Sequence, residues 1–93
     1  MLLDVYTIMR ICFADNSSTL DAARDLVRAH LELHLVEPET IQRVVDTLPS
    51  PYDPPTGALW VAFDDHHPLG CAAFQTIAPD TAELKRVFVR PEA

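Results

Sequence analysis

A short segment, residues 49–57 (PSPYDPPTG), holds four prolines and a glycine and divides the chain into two parts that must fold by different rules. Proline fixes φ and has no N–H to give to a helix or a ladder, so this stretch is neither helix nor central strand. Ahead of it, apolar residues recur at helical spacing. Beyond it, short β-branched and aromatic runs are separated by turn residues, which is strand patterning.

The front part opens on residues 5–14 (VYTIMRICFA), which read as a strand ended by Asp15, Asn16, Ser17 and Ser18. Ser18 is positioned to cap a helix, with Asp21 at the capping-box position. From Thr19 to about His34, Leu20, Ala23, Val27 and Leu31 fall on one helical face. A second, shorter helix starts at Glu37-Pro38, with Pro38 at its first position and a stripe of Ile41, Val44, Val45 and Leu48. The back part gives strands at 58–64 (ALWVAFD) and 69–77 (LGCAAFQTI) around the turn Asp65-His66-His67-Pro68. A fourth strand follows at 82–90 (AELKRVFVR), after the turn at Pro79-Asp80. The expected class is α+β, in the order β-α-α-β-β-β. Short links among the last three strands predict antiparallel pairing.

These strands do not alternate between apolar and polar. Leu59, Val61 and Phe63 point one way, and Ala58, Trp60 and Ala62 the other. Cys71, Ala73 and Ile77 likewise oppose Gly70, Ala72 and Phe74. A sheet with one wet face reads differently. Two amphipathic helices can cover one face. The other is expected to meet a partner subunit, a further C-terminal segment or a ligand, unless its small residues simply tolerate exposure.

Charge narrows the function classes. With 14 acidic against 7 basic residues the formal net charge is −7. Phosphate-backbone binding is disfavoured, so no nucleic-acid partner is expected. No apolar run approaches the roughly 20 residues of a membrane span, and Asp4 interrupts the only leader-like start, so a soluble cytoplasmic protein is expected. Cys12 and Cys71 lie inside apolar runs and read as reduced core thiols.

Three constellations hold residues able to bind a metal or an anion, and each has an ordinary explanation. His30 and His34 have the i, i+4 spacing of metal ligands, but no third ligand is evident, and a half-buried helix face explains them. Asp64, Asp65, His66 and His67 crowd a turn, where Asp is ordinary turn chemistry. Lys85 and Arg86 could meet a phosphate, or simply face solvent on an edge strand. No metal site is expected.

The run Gly57-Ala58-Leu59-Trp60-Val61-Ala62, the run Pro68-Leu69-Gly70-Cys71-Ala72-Ala73, and above all Ala82-Glu83-Leu84-Lys85-Arg86-Val87-Phe88-Val89-Arg90-Pro91-Glu92 resemble the GNAT superfamily of acetyl-CoA-dependent N-acetyltransferases. The helix pair ahead of Tyr52-Asp53-Pro54-Pro55-Thr56-Gly57 is similar to the same branch. The resemblance spans nearly the whole chain, and its specific part is the fourth strand.

The resemblance implies a mostly antiparallel sheet with flanking helices, and acetyl transfer from acetyl-CoA to a primary amine on a small molecule or peptide. It implies that backbone groups near Val87, Phe88 and Val89 bind the pantetheine arm, which lies like an added strand. It places Tyr52 and Trp60 on the acceptor side and Glu83 where a proton-accepting carboxylate is needed, although a solvated strand-end glutamate would look the same. A fourth-strand amide would face the developing oxyanion. Family members continue into an Arg/Gln-x-x-Gly-x-Gly/Ala loop that cradles the cofactor's pyrophosphate at a helix N-terminus, and later carry a general-acid tyrosine. Residues 1–93 are therefore expected to be a truncated GNAT-like domain, its N-terminal half. It would be inactive unless completed by a C-terminal segment, with a non-catalytic module that dimerises through the uncovered sheet face as the alternative.

Overall fold

A computed structural model of the chain describes residues 9–91. Residues 5–8 of the first expected strand, and Glu92 of the fourth-strand motif, lie outside them. The elements are β1 (Met9–Phe13), α1 (Ser17–Leu33), α2 (Pro38–Thr47), β2 (Gly57–Asp64), β3 (His67–Ala78) and β4 (Thr81–Val89). The four strands form one antiparallel sheet in the order β1-β2-β3-β4. β2, β3 and β4 follow one another through two-residue links, while α1 and α2 carry the chain from β1 to β2.

The cap of α1 lies two residues ahead of the expected one. Asn16 is the N-cap, and its side-chain oxygen accepts from the Thr19 N–H at 2.9 Å. Asp15, Asn16, Ser17 and Ser18 are all capable caps, and Asn16 prevails, giving a longer helix than a Ser18 cap would. Asp21 is consequently free to pair with Arg24 on the exposed surface. The far end closes with Leu35 at φ 56, where the Leu35 N–H donates to Glu32 O and the Val36 N–H to Leu31 O, both at 3.1 Å. This is the left-handed closure usually given to glycine.

α1 covers the sheet and α2 packs on α1. Ala23, Leu26, Val27 and Leu31 from α1 meet Val61, Cys71, Ala73 and Phe88 from the sheet, and Ile41, Val45, Leu48 and Tyr52 close the cluster from α2 and the proline-rich loop. Leu26, Val27 and Val61 are wholly buried, each worth about 1.5–3 kcal/mol over an exposed position. The sequence stripe omitted Leu26 and gave its place to Leu20, which is only half-buried. Polar contacts lock the helix pair. Arg24 of α1 donates to the carbonyls of Val45 (3.3 Å) and Leu48 (3.2 Å) at the end of α2, and Arg28 to Gln42 Oε1 (3.2 Å). A cation at carbonyls left open by a helix end satisfies both hydrogen bonding and the helix dipole.

Among the described residues one sheet face stays bare. Met9, Ile11, Phe13, Leu84, Val87 and Val89 are more than half exposed there, with Ile11 at 73%. They share that face with the half-buried Trp60 and Phe74, whose rings lie 5.6 Å apart. The expectation that both helices cover the same face holds only through stacking, since α2 reaches the sheet chiefly by way of α1.

Candidate functional site: the fourth strand and its bulge

β4 is an edge strand among the described residues, and it is not regular. Cys71 lies opposite Phe88 but Ala73 lies opposite Lys85, so Arg86 and Val87 together face Ala72. Two residues against one is a β-bulge, and Arg86 takes the strained conformation at φ 54. Two contacts hold it there. The Cys71 thiol donates to the Arg86 carbonyl at 3.2 Å, and Arg86 Nε donates to the Tyr52 hydroxyl, also at 3.2 Å. Burial pushes the Cys71 thiol up to about 11, so at neutral pH it is a protonated donor and not a nucleophile. Tyr52 is 3% exposed and thus brings a rigid loop residue to the bulge. Arg86, expected to face solvent beside Lys85, instead turns in to Tyr52 and is half-buried.

The bulge also sets which backbone groups are free. The Arg90 N–H donates to Leu69 O at 2.8 Å and so faces β3. By alternation along the strand, the N–H and C=O of Val89 and Val87 point away from β3, to the open edge, while those of Phe88 face β3. The Phe88 side chain is buried against α1, where its ring stacks on His30 with centroids 4.9 Å apart. Close approach here requires glycine at position 70, since a Cβ would lie 2.5 Å from Phe88 O.

The other expected site residues do not converge on one point. Glu83 sits opposite Gln75 near the start of β4, its carboxylate 3.4 Å from Lys85 Nζ, and both side chains are about half exposed. Tyr52 lies within the core on the helix-bearing side. Trp60 lies on the bare face, where it lines a groove of about 490 Å³ with Met9, Ile11, Gly70, Val87 and Val89. Tyr52 and Trp60 are therefore separated by the sheet. Sequence reasoning missed the Cys71–Arg86–Tyr52 contacts. A signal was present, because Leu84 and Val87 are both apolar yet three residues apart, a spacing that a regular strand would send to opposite faces.

The His30 imidazole is perturbed by its packing between Phe88 and His34. Burial, then the neighbouring His34 and Arg86, hold it below its ordinary value of 6.5. Its Nδ1 is shut off from solvent with no hydrogen-bond partner, and the His34 ring stands edge-on at 4.9 Å. Among the described residues no three His, Cys, Asp or Glu side chains come together as metal ligands, and no helix is long and apolar enough to cross a membrane.

These contacts can be tested one at a time. Tyr52→Phe removes the partner of Arg86 Nε and should cost about 0.5–1.5 kcal/mol, with faster hydrogen exchange at the β4 amides. Unchanged exchange there would show that the hydroxyl does not hold the bulge. The unfolded chain takes a proton at His30 before the folded one does, so folding stability is lost as pH falls through 6.5 towards the lowered folded value. His30→Phe keeps a ring over Phe88 and removes that loss. Melting temperatures at about pH 7.5 and 5.5 should differ less in the variant than in the parent.

No protein-family model matches the chain. An uncharacterized N-acetyltransferase of Schizosaccharomyces pombe is 39% identical over 79 residues, which cover 80% of this chain and 48% of that protein. The fold matches an acetyltransferase from Streptococcus agalactiae with a TM-score of 0.70 at 25% identity, over 90% of this chain and 53% of that one. It matches a GNAT-family acetyltransferase from Staphylococcus aureus with a TM-score of 0.72 at 16% identity, over 91% and 55%. A predicted acetyltransferase from Clostridium acetobutylicum, crystallised with acetyl-CoA, gives 0.63 at 16% identity, over 92% and 62%. At 16% identity the last two speak for the fold alone. By sequence and by fold the chain, which spans about half the length of the relatives it matches, is similar to acetyltransferases, and its fold is that of one from the GNAT family.

Proposed function

We propose that these residues form the donor-binding strand and the acceptor side of an enzyme that transfers an acetyl group from acetyl-CoA to a primary amine. The observation that carries this reading is the open edge of β4. There the outward backbone groups of Val87 and Val89 lie within and just beyond a clamped bulge, in a chain 39% identical over 79 residues to an N-acetyltransferase. An edge strand is a template for an extended partner, and a pantetheine arm with its amides fits that template. Val87 and Val89 would hold the arm, and Phe88 would anchor the strand against α1. Acetyl-CoA, when bound, supplies the acetyl group as a thioester.

The remaining work falls to this chain's own groups. An ammonium must lose a proton before its nitrogen can attack, and Glu83 accepts it directly or through one water, in competition with Lys85. A β4 amide at the bulge donates to the oxygen on which charge develops. Tyr52 walls the acceptor side beneath Arg86, and Trp60 contributes only from the bare face. The two glycines, Gly57 and Gly70, are both taken up by tight strand contacts, so these residues contain no glycine-rich cradle for a diphosphate. Taken by themselves, the 93 residues bind the donor through its arm and are weak or inactive catalysts.

Calorimetric titration tests this directly. Acetyl-CoA and S-acetylpantetheine should bind with similar, weak affinity, and any transfer to an amine should fall about 10²-fold or more in Glu83→Gln with donor binding unchanged. Much tighter binding of acetyl-CoA would mean that a diphosphate site exists within the chain. Equal transfer by Glu83→Gln would remove that residue from the reaction.

The bare sheet face favours a second reading, a non-catalytic module that pairs with another copy of itself through Ile11, Leu84 and Val89. Light scattering during size-exclusion chromatography should then show a dimer that Ile11→Lys dissociates. A monomer at high concentration rejects this reading.

A further inference from the structure

His30 of α1 lies over Phe88 of β4, with the ring centroids 4.9 Å apart and the planes at 13°. Its Nδ1 is shut off from solvent and has no hydrogen-bond partner. A neutral imidazole tolerates this by carrying its proton on Nε2, which leaves only a lone pair at Nδ1. An imidazolium does not. Both of its nitrogens are donors, and a charged donor sealed away without an acceptor is costly.

The surroundings give that charge no relief. His34 stands edge-on from the end of α1, and Arg86 comes from β4. Burial first, then His34, then Arg86 disfavour the proton, and no carboxylate is among the groups that act on it. β3 brings Cys71, whose thiol donates to the Arg86 carbonyl, and the proline-rich loop brings Tyr52, whose hydroxyl accepts from Arg86 Nε. The face of Phe88 attracts a cation, but that attraction leaves the sealed N–H unmet. His30 is half-buried, so a rotated ring reaches water. Phe88 directly follows the bulged pair Arg86 and Val87, and the cover over it is one of the restraints on the left-handed arginine.

We propose that His30 is a proton-operated latch on the β4 bulge. Neutral, it lies on Phe88 and keeps the strand seated. Protonated, it leaves the stack for water, and residues 86–88 loosen while the rest of the fold stays closed. The closed form takes the proton less readily than the open one, so opening is promoted as pH falls through 6.5. The latch rests on the transferase reading only for its consequence, the loosening of the donor-binding strand in acid.

Native-state hydrogen exchange, followed by NMR without acetyl-CoA, tests the latch. Protection factors divide out the intrinsic pH dependence of exchange. The amides to follow are Phe88 and Arg90, whose N–H donates to Leu69 O, with the wholly buried Val61 of β2 as the core reference. Between about pH 7.5 and 5.5 the Phe88 and Arg90 amides should lose about tenfold in protection, the ratio set by one proton taken up on opening. Low urea should leave their exchange unchanged while speeding that of Val61, because a local opening exposes little surface. His30→Phe keeps a ring over Phe88, and His30→Gln keeps a neutral polar side chain. Each should abolish the pH step, and either one decides if the other fails to fold. No step in the parent, a step that persists in the variants, or β4 exchange as urea-sensitive as that of Val61 would each overturn the latch. A pH step with no acetyl-CoA binding at either pH leaves the latch standing and removes the transfer reading. Acetyl-CoA binding with no pH step in β4 removes the latch alone.

Discussion

The structure depends on the seating of α1 across β2, β3 and β4. Ala23, Leu26 and Val27 reach zero exposure there, against Val61 and Ala73, which are equally buried. That contact makes one face of the sheet a core. It also fixes α2, which has little direct purchase on the sheet and is held through Arg24, Arg28 and its apolar stripe. A chain of this size buries a smaller fraction of its surface than a larger one, so the loss of one such layer would leave little else to hold the strands together.

From that core the strain at β4 becomes intelligible. A left-handed arginine in a strand is unfavourable and persists only where its surroundings over-determine it. Here Phe88 is pinned against His30 on one side of the bulge, while Tyr52 and Cys71 hold Arg86 from the loop and from β3. The proline-rich segment is therefore more than a linker. It delivers a buried tyrosine to the bulge in β4, where the sheet breaks its register, and that break leaves the Val87 and Val89 backbone groups facing outward beside it.

The two sides of the sheet divide the chemistry. Glu83, Lys85, Arg86 and Tyr52 belong with the helix layer, whereas Val87, Val89 and Trp60 present an apolar surface on the bare side.

Much of this was legible in the residue pattern alone. Periodicity marked both helices, the prolines marked the break between halves, and the absence of alternation in 58–64 and 69–77 marked a sheet with two apolar faces. The run from Glu83 to Pro91 carried the resemblance to acetyltransferases. These are local properties, set by backbone propensity and by which side chains avoid water, and neighbours in sequence suffice to read them. What only the tertiary structure decided concerns residues far apart in the chain and choices among near-equal neighbours. Asn16 rather than Ser18 caps α1, Leu26 rather than Leu20 fills the core, Arg86 turns to Tyr52, and the sheet divides Tyr52 from Trp60. Each depends on packing and hydrogen bonding that the pattern of a single segment does not encode.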